Sequence, residues 1–447
     1  MTDAALPSVA SSYEERFPRV FRQPFGKRFG PAVAVIGLAL YLVYAFVFFD
    51  VGTVMRTGHW ERLGLFLSDW VSWNVGVEFR TSSGAVTPRY PKFSPLGNDP
   101  HPDWVMVNAD GTTTIEIAGK GGSVTMSTTD AYVIKDGQTA HAKLGGDKPA
   151  TVGDVPAWFA PNDDGDLTAD FGFSGQIVVE NDRVKINRRF LGWANFFFDT
   201  DSPFFGKPAG DVLGLVVTGP ELVAGRPNWQ VAFDNFWNNG EWQHGDIFVK
   251  LLQTLVMAFL GTLLGAIVAF PLGFLAARNI TQNAPLNWLL KRLFDFLRSV
   301  DMSIWALFFT RAFGPGPLAG SAAVFLTEAG TLGKIYSEGL ENIDDKPREG
   351  VTSTGAAPML VQRYGVVPQV LPVMLSQTLY QWESNTRGAT IIGAVGAGGI
   401  GLKLWEAMRT NDNWSNVFYM VLLVLLVVFT FDAVSNALRS RLIGRST

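Results

Sequence analysis

An uncharged apolar run from Pro31 to Phe49 constrains the fold of this chain more than any other feature. As a helix, it is long enough to cross a hydrocarbon core of about 30 Å. A cleaved signal peptide would have a shorter apolar segment that ends in a small-x-small cleavage site, whereas Phe49 leads directly into Asp50. We therefore expect a retained anchor, with the first transmembrane helix over residues 31–50.

The composition indicates that only part of the chain lies in a membrane. Hydrophobic residues account for 47% of the 447 positions and charged residues for 17%. This composition is too apolar for a soluble protein with that charge content. It is too polar for a protein that lies entirely within the membrane. The net charge of -4 and the lack of a basic stripe with interleaved aromatics give no indication of nucleic acid as a partner. Zero cysteines exclude disulfides and thiolate chemistry.

Basic residues near the two ends predict the orientation of the spans. Residues 1–30 form a basic tail, and the positive-inside tendency places this tail and the basic tail 438–447 in the cytoplasm. Between the tails we expect about six spans: Pro31–Phe49, Leu251–Ala277, Leu293–Phe313, Leu318–Tyr336, a helix from Val366, and Val417–Phe431. The third candidate carries Asp295, Arg298, Asp301 and Arg311. Each central charge costs about 2.5–3.5 kcal/mol on insertion scales, so its polar face must point into a bundle or lie near the headgroups.

Residues 51–245 differ in character from the apolar runs. They are rich in Thr, Ser, Gly, Asp, Asn and Pro, and they hold no apolar run long enough to span a membrane. Segments with β-branched residues and partial alternation predict a mostly β, extracytoplasmic insert. These segments are Thr112–Ile117, Ser123–Met126, Tyr132–Ile134 and Gln176–Val179. Aromatic residues crowd the second half, where we expect either an ordinary core or a surface against the membrane or a partner.

The glycine run Gly396–Gly401 satisfies the dinucleotide pattern G-x-G-x-x-G, but its context argues against a nucleotide site. Such a site needs a preceding strand and an acidic ribose ligand about 20 residues later. A helical run precedes these glycines instead. We therefore expect Gly396, Gly398, Gly399 and Gly401 to break a helix and let backbones approach closely where a bundle lines a pathway.

Other catalytic and metal-binding patterns are missing from the sequence. The pair Gly333-Lys334 is followed by Ile335 and lacks the upstream glycine of a Walker A loop. His59, His101, His141 and His244 all lie in the insert without metal-site spacing. We expect no catalytic residues, no metal and no cofactor in this chain.

Glu383, Asn385 and Arg387 form a polar cluster on a helix that should span the membrane. Glu383 and Arg387 are four residues apart, so they can pair on one helix face. The cluster either fixes the packing of the bundle or lines the route of a charged solute, with Arg387 attracting an anion.

The loop 338–368 resembles the coupling loop of ABC-importer permeases. Glu349-Gly350-Val351, Gly355 and Val367-Pro368 stand at that family's spacing, although Gly350, Val351 and Gly365 replace Ala, Ala and Ile. Leu379–Thr390, followed by Gly396–Gly401, narrows the resemblance to permeases of phosphonate-type importers. The likeness covers about Asp246–Leu442.

The resemblance implies an all-α polytopic membrane protein with the type I ABC-importer permease fold, whose core would be residues 246–437. Its partners would be a second copy, two cytoplasmic ATPase subunits, an extracytoplasmic solute-binding protein and membrane lipid, with ATP and Mg on the ATPase. Glu349, Gly350, Gly355 and Pro368 would belong to the ATPase-coupling loop, where Gly355 would allow close approach. The location would be the bacterial cytoplasmic (inner) membrane, multi-pass, and the chain itself would not be an enzyme.

Alternatives remain open for the solute and the class of protein. Phosphonate, phosphite, phosphate or an amino acid could be the cargo. A membrane receptor whose β domain binds ligand is the alternative from another class. The insert is unusual for such permeases, and we expect it to cap the outer mouth or to help dock the binding protein.

Overall fold

The computed structural model of the chain describes residues 25–58, 60–81, 86–90, 96, 101–118, 121–146, 148–162, 164–410 and 414–443. Contacts divide the chain into two units, Met1–Gly64 and Leu65–Thr447. The first unit holds helices α1, Phe25–Phe48, and α2, Val51–Thr57. Helix α1 covers the predicted anchor and is long and apolar enough to span a membrane. The predicted tail residues Arg16, Arg19, Arg22 and Arg445 and the histidine His59 lie outside the described residues.

After helix α3, Trp60–Asp69, the described part of the insert folds into two six-stranded antiparallel sheets. Their strands are β1 Ser72–Arg80, β2 Thr87–Arg89, β3 Val105–Val107, β4 Thr113–Ala118, β5 Gly122–Met126, β6 Asp130–Lys135, β7 Gln138–Lys143, β8 Ala150–Val152, β9 Phe159–Pro161, β10 Leu167–Asp170, β11 Gly175–Val179 and β12 Arg183–Leu191. One sheet has the order β2-β1-β12-β11-β10-β9, and the other runs from β3 to β8 in chain order. The predicted strand-rich region is confirmed.

Alternation of apolar residues explains why these segments pair as strands. Along β1, for example, Val75, Val77 and Phe79 are fully buried or nearly so, while their neighbours face outward. Side chains from both sheets join one hydrophobic core. The turn between β6 and β7 places Asp136 and Gly137 at positive φ, as a two-residue hairpin requires.

The first and last strands of this sheet domain are neighbours. β1 pairs with β12 over its whole length, from Ser72 opposite Leu191 to Arg80 opposite Arg183. Just beyond the pair, the Gly192 N–H donates to the Val71 carbonyl over 2.9 Å. The chain therefore leaves the sheet domain at the point where it came in.

Part of the aromatic second half of the insert packs into the helical core. Trp193 and Phe196 lie against buried Trp242 and Tyr419, with ring centroids 4.8–6.0 Å apart. His244 is buried beside them and bonds to the Tyr419 hydroxyl over 3.0 Å. For these residues, the expectation of an ordinary aromatic core is correct.

We call the cluster of Trp193, Phe196, Trp242, His244 and Tyr419 the aromatic junction. Glu241 makes the stability of this junction depend on pH. Burial raises the pKa of Glu241 to about 7, although the Asn195 amide donates to its carboxylate over 3.0 Å and partly offsets the shift. The folded protein therefore holds this proton more tightly than the unfolded chain. Stability from this group is greatest below pH 4.5, falls as the pH rises to about 7, and is constant above that value.

We expect Glu241→Gln to remove this loss of stability at higher pH, because the glutamine amide is uncharged like the protonated carboxyl. Thermal unfolding of the detergent-solubilised protein at pH 5 and pH 8 measures the effect, with the exposed Glu406→Gln as a control. The variant should gain stability over the parent at pH 8 and little at pH 5. An equal gain at both values would mean that the carboxyl does not change its charge in this range.

Of the remaining described helices, the first two pair with each other and the others pack into a bundle. They are α4 Ala209–Val217, α5 Asn228–Trp237, α6 His244–Ala276, α7 Ala284–Ser299, α8 Met302–Phe313, α9 Pro317–Glu341, α10 Asp345–Thr352, α11 Pro358–Val361, α12 Val367–Ile392, α13 Gly399–Thr410 and α14 Trp414–Ile443. Within the described ranges, α1, α6 and α14 are long and apolar enough to cross a membrane, and the bent pair of α12 and α13 would make a fourth crossing. Helix α9 is 25 residues long but contains charged residues, and α8 is a shorter apolar helix. The polytopic helical core agrees with the prediction.

The predicted third span, Leu293–Phe313, is wrong as one continuous helix. The chain breaks after Ser299, where α7 ends, and Asp301 caps α8 by accepting from the Ser303 N–H over 2.8 Å. Asp295 lies on the polar side of α7, where Lys334 of α9 pairs with it over 3.2 Å. Asp295 and Arg298 therefore belong to an amphipathic helix and Asp301 to a helix cap, while Arg311 lies in the last turn of α8.

Helix α6 packs directly on α9 through its small residues. A Cβ on Gly261 would lie 2.5 Å from Cβ of Val324, and one on Gly265 would lie 2.7 Å from Cβ of Glu328. Since real Cβ atoms do not approach so closely, only glycine fits at these positions. The pair of glycines four residues apart is thus a helix contact, as small-xxx-small pairs permit.

Candidate functional site

The predicted coupling loop contains a short helix, α10, between two long ones. Asp344 caps its first turn by accepting from the Lys346 N–H over 3.1 Å. Glu349 and Gly350 lie on this helix and are exposed. Pro368 lies in the first turn of α12, where its missing N–H costs no helix hydrogen bond. The loop thus presents a short helix and then starts the next long helix at the predicted proline.

Three contacts fix α10 against the bundle. A Cβ on Gly365 would lie 3.1 Å from Cα of Arg348, so the helix passes close to the segment before α12. The Arg348 guanidinium donates to the Asn279 carbonyl over 3.2 Å. The Gln369 side chain accepts from the Asp344 N–H and donates to the Asp344 carbonyl, both over 3.3 Å. Movement of α10 would therefore be transmitted to α12 and to the end of α6.

The backbone conformation at position 355 requires a glycine, and the predicted close approach of Gly355 to the ATPase stays a prediction. A Cβ there would meet no atom of the described residues within 4 Å, so none of them approaches it closely. Its φ of 76° lies in the left-handed region, which side chains disfavour. The backbone turn after α10, rather than a contact within the chain, requires the glycine.

The glycine run breaks the long helix, as predicted. Gly396, Gly398 and Gly399 have φ values of 98°, 82° and 70°, and the axis bends by 59° between the helix before the run and α13. The break packs tightly, because a Cβ on Gly398 would lie 2.9 Å from the backbone N of Pro317. The Thr254 hydroxyl accepts from the Ile400 N–H over 2.8 Å and satisfies one donor that the break exposes.

The three polar residues of α12 do not form the expected cluster. Glu383 pairs with Arg439 of α14 over 3.1 Å, so the predicted pair with Arg387 is wrong. Asn385 is buried and donates to the Thr262 hydroxyl of α6 over 2.9 Å. Arg387 is exposed, and no ion pair of its side chain occurs among the described residues. Packing contacts explain Glu383 and Asn385. For Arg387, the role of lining a solute route stays a prediction.

Sequence reasoning missed a buried acid beside Asn385. Glu328 of α9 is 3% exposed, and its Oε2 has no hydrogen-bond partner among the described residues. An acidic residue among the small and apolar residues of the first half of α9 was the available signal. Thr254, Thr262 and Arg439 were also missed, because a single sequence does not show which residues of distant helices meet.

The histidines form no cluster in the described part of the chain. His141 pairs with Asp130 on the surface of the sheet domain over 2.8 Å, and His244 is in the aromatic junction. Among the described residues, no group of three or more His, Cys, Asp or Glu side chains could hold a metal ion.

Comparison with known proteins identifies the helical core. Residues 269–444 match the family model described as binding-protein-dependent transport system inner membrane component. The chain is 36% identical over 189 residues to the phosphite transport system permease protein PtxC of Stutzerimonas stutzeri, which is 42% of this chain and 68% of that protein. It is 34% identical over 198 residues to the phosphate-import permease protein PhnE of Mycolicibacterium smegmatis, which is 44% of this chain but only 37% of that protein.

A solved structure of the MetNI methionine ABC transporter in inward facing conformations aligns with 44% of this chain and 95% of that chain, at 21% identity and a TM-score of 0.40. The family model covers the part of the helical core that carries the loop helix and the glycine break, and the match to PtxC extends over two thirds of that relative. The chain therefore belongs to the family of inner membrane components of binding-protein-dependent transport systems, and its core has that family's permease fold.

Proposed function

We propose that this chain is the permease subunit of an ATP-driven importer for a phosphorus oxyanion such as phosphonate, phosphite or phosphate. The observation that carries the proposal is the exposed loop helix α10, which is tied to the segment after α6 and to α12 by Asn279, Arg348 and Gln369. A short exposed helix with these contacts can transmit the movement of another subunit to the membrane helices. The solute class follows from the names of the similar permeases, which transport phosphite or import phosphate.

The surface next to α10 is suited to a protein partner. Met359, Leu360 and Tyr364 expose 78%, 43% and 60% of their surface. We call these three residues the loop face. Exposed apolar side chains on a short loop are typical of an interaction site. The ATPase subunit, which would bind ATP and Mg, would cover the loop face, and two permease copies would receive two ATPase subunits.

This assignment sets the orientation of the chain. An ATPase in the cytoplasm requires α10 on the cytoplasmic side. The sheet domain is separated from α7 by the single span α6, so it would then lie outside the cytoplasm. Both termini would lie inside. The basic residues near the termini favour the same orientation.

Purification of the tagged full-length chain from its native host in mild detergent tests the proposal. We expect an ATPase and a solute-binding protein to accompany it. Calorimetric titration of that binding protein with methylphosphonate, phosphite and phosphate would then identify the solute. Recovery of an intact chain with neither protein would contradict the proposal and favour a receptor whose sheet domain binds ligand.

Arg387 tests the route through the membrane. If its exposed guanidinium attracts the anion, Arg387→Ala should reduce uptake by about fivefold or more, since one lost charge interaction in water is worth about 1 kcal/mol or more. Uptake of radiolabelled solute into proteoliposomes measures the change, and Arg387→Lys is the matched control that keeps the charge. Unchanged uptake by the alanine variant would exclude this residue from the route.

The role of the insert can be tested by a clean excision. Residues 72–191 can be removed by joining Val71 to Gly192, whose backbone groups are already 2.9 Å apart. This deletion spares Trp193 and Phe196, which belong to the helical core. If the sheet domain docks the binding protein, solute-stimulated ATP hydrolysis should fall while ATPase assembly is retained. Unchanged stimulation would rule out the docking role.

A further inference from the structure

Helix α4 is strongly apolar, yet the described part of the chain leaves most of it uncovered. None of the residues in Ala209–Val217 is buried, although all except Asp211 are apolar or glycine. Leu213 and Val217, four residues apart on one face, expose 65% and 71% of their surface. Exposed apolar surface is unfavourable by about 25 cal/mol per Å², so another apolar phase must cover this helix.

Helix α5 presents an aromatic stripe. Trp229, Phe233 and Trp237 recur every four residues and therefore lie on one face. Trp229 and Phe233 are 58% and 56% exposed. Asp234 lies off this stripe and pairs with Arg226. The helix is thus amphipathic, with aromatic residues on one side and polar groups on the other.

Asn228 joins the two helices into one hairpin. Its buried side-chain amide donates to the carbonyls of Leu215 and Pro220 over 2.7 and 2.8 Å, and its carbonyl oxygen accepts from the Leu222 N–H over 2.9 Å. The bond to Leu215 ties α5 directly to α4, and the bonds to Pro220 and Leu222 hold the connecting turn. The exposed apolar faces of α4 and α5 therefore belong to one hairpin.

The aromatic stripe continues onto a membrane-spanning helix. Phe233 stacks on Trp237, and Trp237 stacks on Phe248 of α6 with ring centroids 5.9 Å apart. Gly245 makes room for this contact, since a Cβ there would lie 2.5 Å from Nε1 of Trp237. Beyond Phe248, the exposed side of α6 continues with Leu252, which is 60% exposed.

The length of α6 sets the depth of the hairpin. Its 33 residues extend over about 50 Å, whereas a bilayer with its headgroups is about 40–45 Å thick. The first turns of α6, which carry Gly245 and Phe248, must therefore lie near the headgroups. Tryptophan and other aromatic residues concentrate at this level of a membrane.

We propose that α4 and α5 lie in the membrane interface, with Leu213, Val217, Trp229 and Phe233 in contact with lipid. We infer that lipid covers this surface because the aromatic stripe is continuous with the exposed apolar side of a spanning helix. In addition, the polar groups of α5 lie off that stripe. The hairpin is then an interfacial anchor that fixes the segment between the sheet domain and α6 at the bilayer surface.

The absence of cysteine from this chain allows a direct test. Leu213→Cys, Val217→Cys and Phe233→Cys, each in the full-length chain, would be labelled with a nitroxide and reconstituted in lipid nanodiscs. Power saturation would compare collisions with oxygen, which partitions into lipid, and with a water-soluble nickel chelate. We expect oxygen to be the stronger relaxant at all three positions. Val107→Cys, on a 74% exposed residue of the sheet domain, should show the reverse.

Each other result overturns the proposal. Strong relaxation by the nickel chelate at the three positions would place the hairpin in water. Exclusion of both reagents would show that protein, such as a second copy of this chain, covers the surface instead of lipid. Because the three side chains are exposed, their replacement removes no core packing. Elution at the parent's volume in size-exclusion chromatography checks that each labelled variant is folded.

Discussion

Replacing Gly401 by alanine is expected to lower the melting temperature by about 5 °C or more and to reduce the yield of folded protein. A Cβ at this position would lie 1.8 Å from the carbonyl oxygen of Thr390, and 3.0 Å from Cα of Gly393. Backbone atoms cannot rotate away as the end of a side chain can, so α12 and α13 would have to separate. Overpacking of this kind costs about 1–3 kcal/mol, and occasionally more.

Gly350→Ala is the matched control, since no atom lies within 4 Å of its added Cβ and the residue is within helix α10. That variant should be as stable as the parent or slightly more so, because alanine favours helix over glycine by about 1 kcal/mol. Thermal unfolding of both variants in one detergent at one scan rate gives the comparison. If Gly401→Ala melted with the parent, the close contact would not be what holds the bend.

Met359→Asp is expected to weaken binding of the ATPase subunit by about 30- to 1000-fold. Residues at the centre of protein interfaces contribute about 2–4 kcal/mol when they are truncated, and a buried unpaired charge adds to that loss. Met359 is 78% exposed in the chain alone, so the change should leave the fold intact. Titration of the ATPase recovered from the native host onto the permease in nanodiscs measures the affinity.

Val107→Asp is a control for the added charge alone, as Val107 is 74% exposed but lies in the sheet domain. It should bind the ATPase with the parent's affinity. Equal affinity for the Met359 variant would move the docking site away from the loop face. A Met359→Leu variant, which keeps the apolar surface, should bind nearly as well as the parent.

Local patterns in the sequence predicted the elements that local physics controls. Alternation located strands such as Gly175–Val179, and glycine context identified Gly396–Gly401 as a helix break instead of a nucleotide loop. The proline at 368 marked the start of α12. In each case the deciding property, whether side-chain period, positive φ or a missing N–H, belongs to a few neighbouring residues.

Contacts between distant residues were beyond such patterns. Spacing suggested that Glu383 would pair with Arg387, but Arg439 of another helix takes the carboxylate. Hydropathy averaged over a window does not distinguish a charged helix cap from a charge inside a span. The break at Asp301 was therefore not predicted. Similarly, the left-handed conformation of Gly355 could not be predicted, since its positive φ appears only when the turn is known.

The pairing of β1 with β12 has a consequence for biosynthesis. Residues of β1 meet partners about a hundred positions later in the chain. At about 5–20 residues per second, that length takes about 5–20 s to make, and β1 has only the short β2 as a neighbour in the meantime. Strands β3 to β8 pair in chain order and can form as they emerge. Trp193 and Phe196 must wait longer still, for Tyr419 of the last helix. The aromatic junction thus closes only when nearly the whole polypeptide has been synthesised.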